Sequence, residues 1–339
     1  SDTTPGIPLN ELISIYQDSV IEIAITPNRP DATSHIGVAR DLSAKWGVPL
    51  TVPSVTIPEQ VANQGTNFTI SIEDPQKCSR YVGVVMENIQ VSPSPAWLKN
   101  RLEAIGLRSI NNIVDVTNYV MYEWGQPLHA FDANNLKGSS IHVKSFVKTY
   151  EFTTLDGVTR KVPSGSLFIC DDEQAVAIAG IMGGENSEVS DSTTTIVLES
   201  AYFDPSTIRK CSKQLSLQTD ASYRFERGID SNIQLTAAIR AADLIKEMIP
   251  EALITETIDL HPIPEKSLEL SLRVSRIHQI LGVEIEEEWI IKQLNRLEIT
   301  SKRSGSGMIE CHIPSFRPDI EREIDLIEEI GRLYDYNNI

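Results

Sequence analysis

Positive charge is in short supply. Lys and Arg number 30 against 47 Asp and Glu in 339 residues, a formal net charge of −17. Gripping a nucleic-acid backbone requires clustered Lys and Arg to neutralise phosphates. That excludes such a role over the whole surface and confines it to a local patch, or to one shared with something outside the chain. Cysteine is equally sparse: Cys78, Cys170, Cys211 and Cys311 lie far apart. They form neither a CxxC pair nor the dense framework of a disulfide-stapled domain or zinc site, and they read as reduced thiols. No run approaches the ~18 apolar residues of a membrane-spanning helix. Ser1 to Asn10 has neither a basic start nor an apolar stretch, so a secretory leader is not expected and the cytoplasm is. AGIMGG lacks the Lys and Ser/Thr of a P-loop and the spacing of a dinucleotide site, and no GxSxG elbow is present. What is there is globular: 41% hydrophobic and 23% charged residues, with length for two or three domains at ~150 residues each.

Periodicity divides the chain. Ile21 to Ile25 (IEIAI) alternates like a strand and runs into the turn TPNRPD. His35 to Trp46 then has helical spacing through Ile36, Ala39, Leu42 and Trp46 and stops at Gly47. Pro49, Pro53 and Pro58 within Val48 to Gly65 disfavour helix and suit an extended connection, which places a boundary there. From Phe68 the pattern predicts strands at FTISIE and YVGVVM, then helices over about Pro95 to Ile105 and Ile110 to Tyr122. After GQPLHAFD short apolar runs with DG and GG turns (IHVKSF, FTTLDG, LFICD, AVAIAGIMGG, TIVLESAYF) predict a large mixed or antiparallel sheet, closed by a helix over Asn232 to Met248. Beyond Ile263 the reading is strand (LELSL), helices over Val274 to Leu281 and Glu286 to Leu297, a polar loop, IECHIP, and a last helix over Ile320 to Tyr334. The expected fold class is α+β and multidomain: residues 1–65 a small module and linker, 66–255 a mixed α/β domain with a large sheet, and 263–339 a compact, mostly helical module.

Three places carry chemistry. His129 in GQPLHAFD follows a Gly–Pro turn, where a loop can present an imidazole to a ligand; the plainer alternative is a packing histidine. Glu199 sits in the apolar run IVLESAYF; either it is a functional carboxylate or it is a buried glutamate paired with a nearby arginine. Asp325, Glu328 and Glu329 share one helical face, with Asp319 near the helix start. Like charges so close need neutralising, and a hard cation such as Mg²⁺ held by carboxylate oxygens would do it. The alternative is a solvated acidic face with Ile324, Ile327, Ile330 and Leu333 inward. Pro27, Arg29, Pro30 and Asp31 read as turn chemistry feeding a helix.

Six runs, EIAITPNRPD, GLRSINNIVDVTNYVMYEWGQPLHAFD, AIAGIMGG, IVLESAYF, SLQTDASYRFERGID and PSFRPDIEREIDLIEEIGRLYDYNNI, follow one another in the order seen in the β subunit of bacterial phenylalanyl-tRNA synthetase, and the resemblance covers nearly the whole chain. It implies an internal segment: the family's oligonucleotide-binding domain is not seen before Ser1, and the chain stops where the catalytic-like core is expected. It also implies a B1-like remnant, a B3/B4 editing region and a B5 domain, the first and last having a nucleic-acid-binding type of fold. The holoenzyme it points to is a cytoplasmic α2β2 heterotetramer, a class II ligase that joins L-phenylalanine to tRNA(Phe) with ATP. ATP would be used by the holoenzyme and not bound by this segment.

For the middle segment the resemblance implies hydrolysis of Tyr-tRNA(Phe). An apolar synthetic pocket cannot strongly reject an analogue that merely adds a hydroxyl. Tyrosine is larger than phenylalanine, so a second site must read the phenol rather than the size. A buried carboxylate does so by accepting a charge-assisted hydrogen bond, which phenylalanine would leave unmade at a penalty of ~1–3 kcal/mol. By motif, Glu199 takes the place of that reader and His129 lines the same pocket, orienting water or acting as a weak base. Arg108, Thr117, Asn118, Ala179, Gly180, Gly183, Thr219 and Ala221 are placed near it, Arg108 to meet a phosphate of the tRNA end. Asp319, Asp325, Glu328 and Glu329 match the family's magnesium positions, a site shared with the α subunit. A non-catalytic scaffold of the heterotetramer is the competing reading.

Overall fold

A computed structural model describes residues 18–57, 68–264 and 267–339. The boundary expected at 65/66 lies outside the described residues. Ile21 to Ile25 forms no strand: alternation alone is not enough without a partner edge, and Ile21 stays 79% exposed. Helix α1 (His35–Trp46) has the expected bounds. Ser34 Oγ accepts from Gly37 N at 3.0 Å at its start, and Gly47 adopts φ +70° at its end. Its buried face is not the expected one. Trp46 is 69% exposed, while Ile36, Gly37, Ser43 and Ala44 face inward. Small residues win here because the helix lies close to its neighbours: a Cβ on Gly37 would overlap the Asp31 carbonyl.

The middle of the chain runs β1 (Thr69–Ile72), β2 (Cys78–Glu87), α2 (Ala96–Ala104), α3 (Asn112–Trp124), β3 (Leu128–Asp132), β4 (Ser140–Ser145), β5 (Tyr150–Thr153), β6 (Thr159–Val162), β7 (Leu167–Cys170), β8 (Ala175–Ile178), β9 (Met182–Gly183) and β10 (Thr195–Phe203). Helices α4 (Pro205–Leu215), α5 (Asp220–Phe225) and α6 (Gln234–Met248) and strand β11 (Leu253–Leu260) complete it. Helix α3 starts later than its periodicity suggests because the Asn111 side chain caps the amides of Ile113 and Val114.

The strands do not form one large sheet. They divide into a five-stranded sheet, β1-β4-β7-β8-β9, and a four-stranded antiparallel sheet, β11-β2-β10-β3, beside a β5–β6 hairpin. Strand alternation builds two cores on the four-stranded sheet. Tyr81, Val85, Phe131, Val197 and Phe203 face the five-stranded sheet. Val82, Val84, Met86, Ile196 and Leu198 face α2, α3 and α6, whose Ala237, Ala238, Ala241 and Ala242 permit close approach. Every β10 side chain from Ile196 to Ala201 is buried, so Glu199 has no route to bulk solvent along its strand.

The C-terminal module is less helical than expected. Strands β12 (Leu268–Arg273), β13 (Thr300–Gly305) and β14 (Met308–Ile313) form a sheet in the order β12-β14-β13; the stretch expected as a polar loop is largely β13, and only Ser306 and Gly307 make the β13–β14 turn. Helices α7 (Val274–Leu281), α8 (Glu287–Arg296) and α9 (Glu323–Tyr334) pack on it. The inward residues of α9 are Leu326, Ile327, Ile330 and Leu333, whereas Ile324 is exposed. Ala44 of α1 joins this third core, so the first described helix docks on the last module. Among the described residues no helix is long and apolar enough to cross a membrane.

Candidate functional site

His129 does not stand on a loop. It lies in β3, whose register with β10 sets it directly opposite Glu199. The GQP segment is pinned rather than free: Gly125 ends α3 at φ +82°, and buried Gln126 donates to the Ala201 carbonyl at 3.0 Å and accepts from Gln234 Nε2 at 3.0 Å. Both side chains line a cavity of about 70 Å³ between the two sheets, with Gly180, Met182 and Gly183 on the facing sheet and Ala221 and Phe225 on α5. That space exceeds the ~10–15 Å³ needed to admit a water.

Glu199 is 8% exposed and has no arginine partner among the described residues. Burial pushes its pKa up to about 7, against the opposing effect of a hydrogen bond from Tyr81. Tyr81, fully buried on β2, donates its hydroxyl to Glu199 Oε2 at 2.6 Å. The imidazole of His129 packs edge-on against Phe131 with centroids 4.5 Å apart, and its Nε2 is buried without a hydrogen-bond partner among the described residues. Burial lowers its pKa to about 4, so at neutral pH the ring is uncharged. A buried polar nitrogen without a partner marks a place where a ligand or water completes the bonding.

Glycine makes the room. A Cβ on Gly183 would sit 3.0 Å from His129 Nε2, and Gly180 combines φ +66° with Phe225 and Phe203 at 2.9 and 3.0 Å from its would-be Cβ. Thr219 does not reach the cavity with its hydroxyl. It donates to the Ile181 carbonyl at 2.9 Å and caps α5, fixing the wall that carries Ala221. Ala179 is buried in the core behind that wall. Arg108, Thr117 and Asn118 are not among the lining residues. Thr117 bonds back to the Val114 carbonyl, Asn118 is half-buried on α3, and Arg108 is exposed on the α2–α3 connection with no ion-pair partner among the described residues. Tyr81 went unread in the sequence, although it is the polar exception within the apolar run YVGVVM.

The acidic set is neutralised by arginine. Arg317 forms a two-pronged pair with Asp319 at 2.8 Å and reaches Glu329 at 3.0 Å, while Arg332 meets Glu329 at 2.6 Å. Asp325 accepts from the Arg322 amide at 2.8 Å as a helix cap, and Glu328 is exposed. Among the described residues no group of three metal-ligating side chains converges. As arranged, Asp319, Asp325, Glu328 and Glu329 therefore do not fit one magnesium ion: the repulsion that called for a cation is already met by guanidinium. The same grouping occurs at the other end of the chain. Arg29 pairs with Asp31 at 2.9 Å and Asp41 at 3.1 Å, two and twelve residues on, as Asp319 and Glu329 are from Arg317. Arg332 also bonds Asp41 at 3.1 Å, joining the two sets.

Residues 77–250 match the B3/4 domain model, and residues 270–336 match the tRNA synthetase B5 domain model. All 339 residues align at 46% identity with 42% of the length of a phenylalanine–tRNA ligase beta subunit from Geobacter sulfurreducens. They align at 44% identity with 41% of the same-named protein from Salinibacter ruber. The chain thus spans less than half of these relatives. A crystal structure of an N-terminal fragment of the phenylalanyl-tRNA synthetase beta-subunit from Pyrococcus horikoshii superposes with a TM-score of 0.46 at 15% identity, over 91% of this chain and 84% of that one, a distance at which the likeness decides nothing here.

Proposed function

Because this chain belongs to the B3/4 domain family and resembles phenylalanine–tRNA ligase beta subunits over its whole length, we propose that the cavity at Glu199 and His129 hydrolyses tyrosine wrongly esterified to tRNA(Phe). The observation that carries this reading is a buried carboxylate facing, across paired strands, an imidazole nitrogen that is unpartnered among the described residues, with no Lys or Arg among the residues lining their cavity. A phenol entering the cavity gives Glu199 the donor that a benzene ring denies it, and the difference of ~1–3 kcal/mol separates the two substrates. Neutral His129 holds a water by Nε2. The water oxygen attacks the ester carbonyl, the bond to the ribose oxygen breaks, and the proton passes to that oxygen. With a pKa near 4 the imidazole positions the water more than it deprotonates it.

Gly180, Gly183 and Ala221 leave space for the aminoacyl ring, Ala179 and Thr219 support that wall, and exposed Arg108 meets a phosphate of the tRNA end outside the cavity, while Thr117 is buried on α3 and bonded to its own helix. We further propose that the complete protein pairs with an α subunit as an α2β2 phenylalanine–tRNA ligase. In it the middle domain expected over 66–255 runs on to Leu260, because β11 belongs to its four-stranded sheet, and the outer modules, joined to each other by Ala44 and by Arg332 and Asp41, hold the middle one in place. No step is assigned to magnesium. The test is release of amino acid from Tyr-tRNA(Phe) and Phe-tRNA(Phe) by the full-length enzyme and its Glu199→Ala and His129→Ala variants. Selective tyrosine release that falls at least tenfold in both variants is expected; equal release of tyrosine and phenylalanine by the wild type defeats the reading.

A further inference from the structure

The mechanism above leaves one buried polar group without a task. Tyr81 stands on β2 two residues before Gly83, and Gly83 is paired in register with Glu199. Its ring is fully buried, and its hydroxyl reaches Glu199 Oε2 at 2.6 Å. A fully buried phenol whose own ionisation is suppressed by burial and by the neighbouring carboxylate keeps its proton and serves as a fixed donor. The carboxylate can accept on two oxygens, and Tyr81 claims one. Gly83 keeps the adjacent strip thin: a Cβ there would overlap Ile70 of the facing sheet.

Resting on the editing reading, we infer that Tyr81 is a specificity-determining positioning residue: a resident phenol that anchors Oε2 of Glu199 and thereby presents Oε1 as a single oriented acceptor to the phenol of the substrate. Without the anchor the carboxylate sits in an apolar cavity with no fixed donor, and its protonated form, a poor acceptor, gains weight. The other groups facing Glu199 cannot replace Tyr81. Among the described residues His129 on β3 leaves its Nε2 unpartnered and makes no bond to Glu199, and the Cys78 thiol on β2 donates to the Arg80 carbonyl at 3.4 Å. The facing strands and α5 offer only apolar residues and glycine to the cavity. Tyr81 thus acts through Glu199 and touches no substrate atom.

The test is Tyr81→Phe in the full-length enzyme, which keeps the ring and its packing and removes only the donor. Tyrosine release relative to phenylalanine release is followed from pH 6 to 9, and the carboxyl titration of Glu199 is followed by infrared difference against Glu199→Gln. The wild-type preference should rise through pH of about 7. In Tyr81→Phe the midpoint of both measurements should move up by ~1 unit, a tenfold loss at pH 6.5 that is recovered by pH 9. An unchanged titration midpoint overturns the inference whatever the release assay shows, as does a loss of equal size at every pH. A shifted midpoint with equal release of tyrosine and phenylalanine by the wild type supports Tyr81 as the anchor of Glu199 and overturns the editing reading instead.

Discussion

Two buried glutamates in this molecule are held in opposite states. Glu329 on α9 is 4% exposed. Burial pushes its pKa up, but the charges of Arg317 and Arg332 overcome that and hold it at about 2. Glu199 on β10 is buried to a similar degree and has a phenol in place of a guanidinium, and its pKa rises to about 7. Burial is common to both, so the partner decides. A carboxylate already matched with arginines is occupied in holding modules together; one left short of a cation retains bonding capacity for something that arrives. The sequence left two readings open at each, a functional carboxylate or an arginine-paired glutamate at Glu199 and a cation site or a solvated acidic face at Glu329; the arginines are found at Glu329.

The strongest way to break the contrast is to remove the arginine. Arg317→Met should strand buried Glu329 and half-buried Asp319 as partly unpaired anions and lower unfolding free energy by ~3–5 kcal/mol in urea titration at pH 7. A change below ~1 kcal/mol would mean that this lattice is no more than surface pairing. Next come the glutamates themselves, which should respond with opposite sign. For Glu199 the folded pKa lies above the ordinary 4.5, so the folded chain binds the extra proton between pH 4.5 and 7 and stability falls as pH rises through that window. Glu199→Gln should therefore be more stable than wild type at pH 8, by ~1–3 kcal/mol. For Glu329 the folded pKa lies below 4.5, so its contribution is complete above that value and is lost as pH falls toward 2. Glu329→Gln should destabilise at pH 8 by ~2–3 kcal/mol. Shifts of the same sign would erase the distinction.

Local signals gave the elements, while long-range pairing gave the site. Helices α1 and α7 were legible to the residue because their stops, Gly47 and Gly282, are glycines at positive φ. IEIAI misled because alternation reports a half-buried ribbon only where another strand receives it. The opposition of His129 and Glu199 spans two strands 70 residues apart, and Tyr81 reaches Glu199 from 118 residues away. No window of sequence contains such a contact. The RPD tripeptide occurs at both 29–31 and 317–319, a visible repeat. What it builds depends on Asp41 meeting Arg332, a pairing 291 residues apart.

Glycines sharpen the comparison at smaller cost. Gly183→Ala would bring a methyl within 2.9 Å of the His129 ring and 3.0 Å of Leu155 and should cut tyrosine release about tenfold while costing ~1–3 kcal/mol of stability. Gly331→Ala on α9 meets Tyr336 at 3.1 Å and Leu281 at 3.2 Å. Close contact there is offset by the gain in helix propensity, for a net change within ~1 kcal/mol, and tyrosine release should be untouched. Loss of release in Gly331→Ala would tie the C-terminal module to the chemistry directly.

The smallest effect is a cancellation inside the cavity. Between pH 4.5 and 6.5 the unfolded chain has released the Glu199 proton and carries one on His129, whereas the folded chain keeps the proton on Glu199 and leaves His129 bare. Each state binds one proton on the pair, so the pair contributes no pH slope to stability, although each member alone contributes a steep one. For His129 the folded pKa is depressed below 6.5, so its share is lost as pH falls from 6.5 to 4. The share of Glu199 moves the other way. His129→Gln should then leave a stability that falls by ~1.4 kcal/mol per pH unit relative to the double variant, and Glu199→Gln one that rises by as much. Wild type and His129→Gln/Glu199→Gln should differ by a constant across the window in urea titrations. A wild-type slope matching either single variant would mean that burial does not shift both side chains in one cavity, and with that the pairing of a phenol reader with a water holder would be lost.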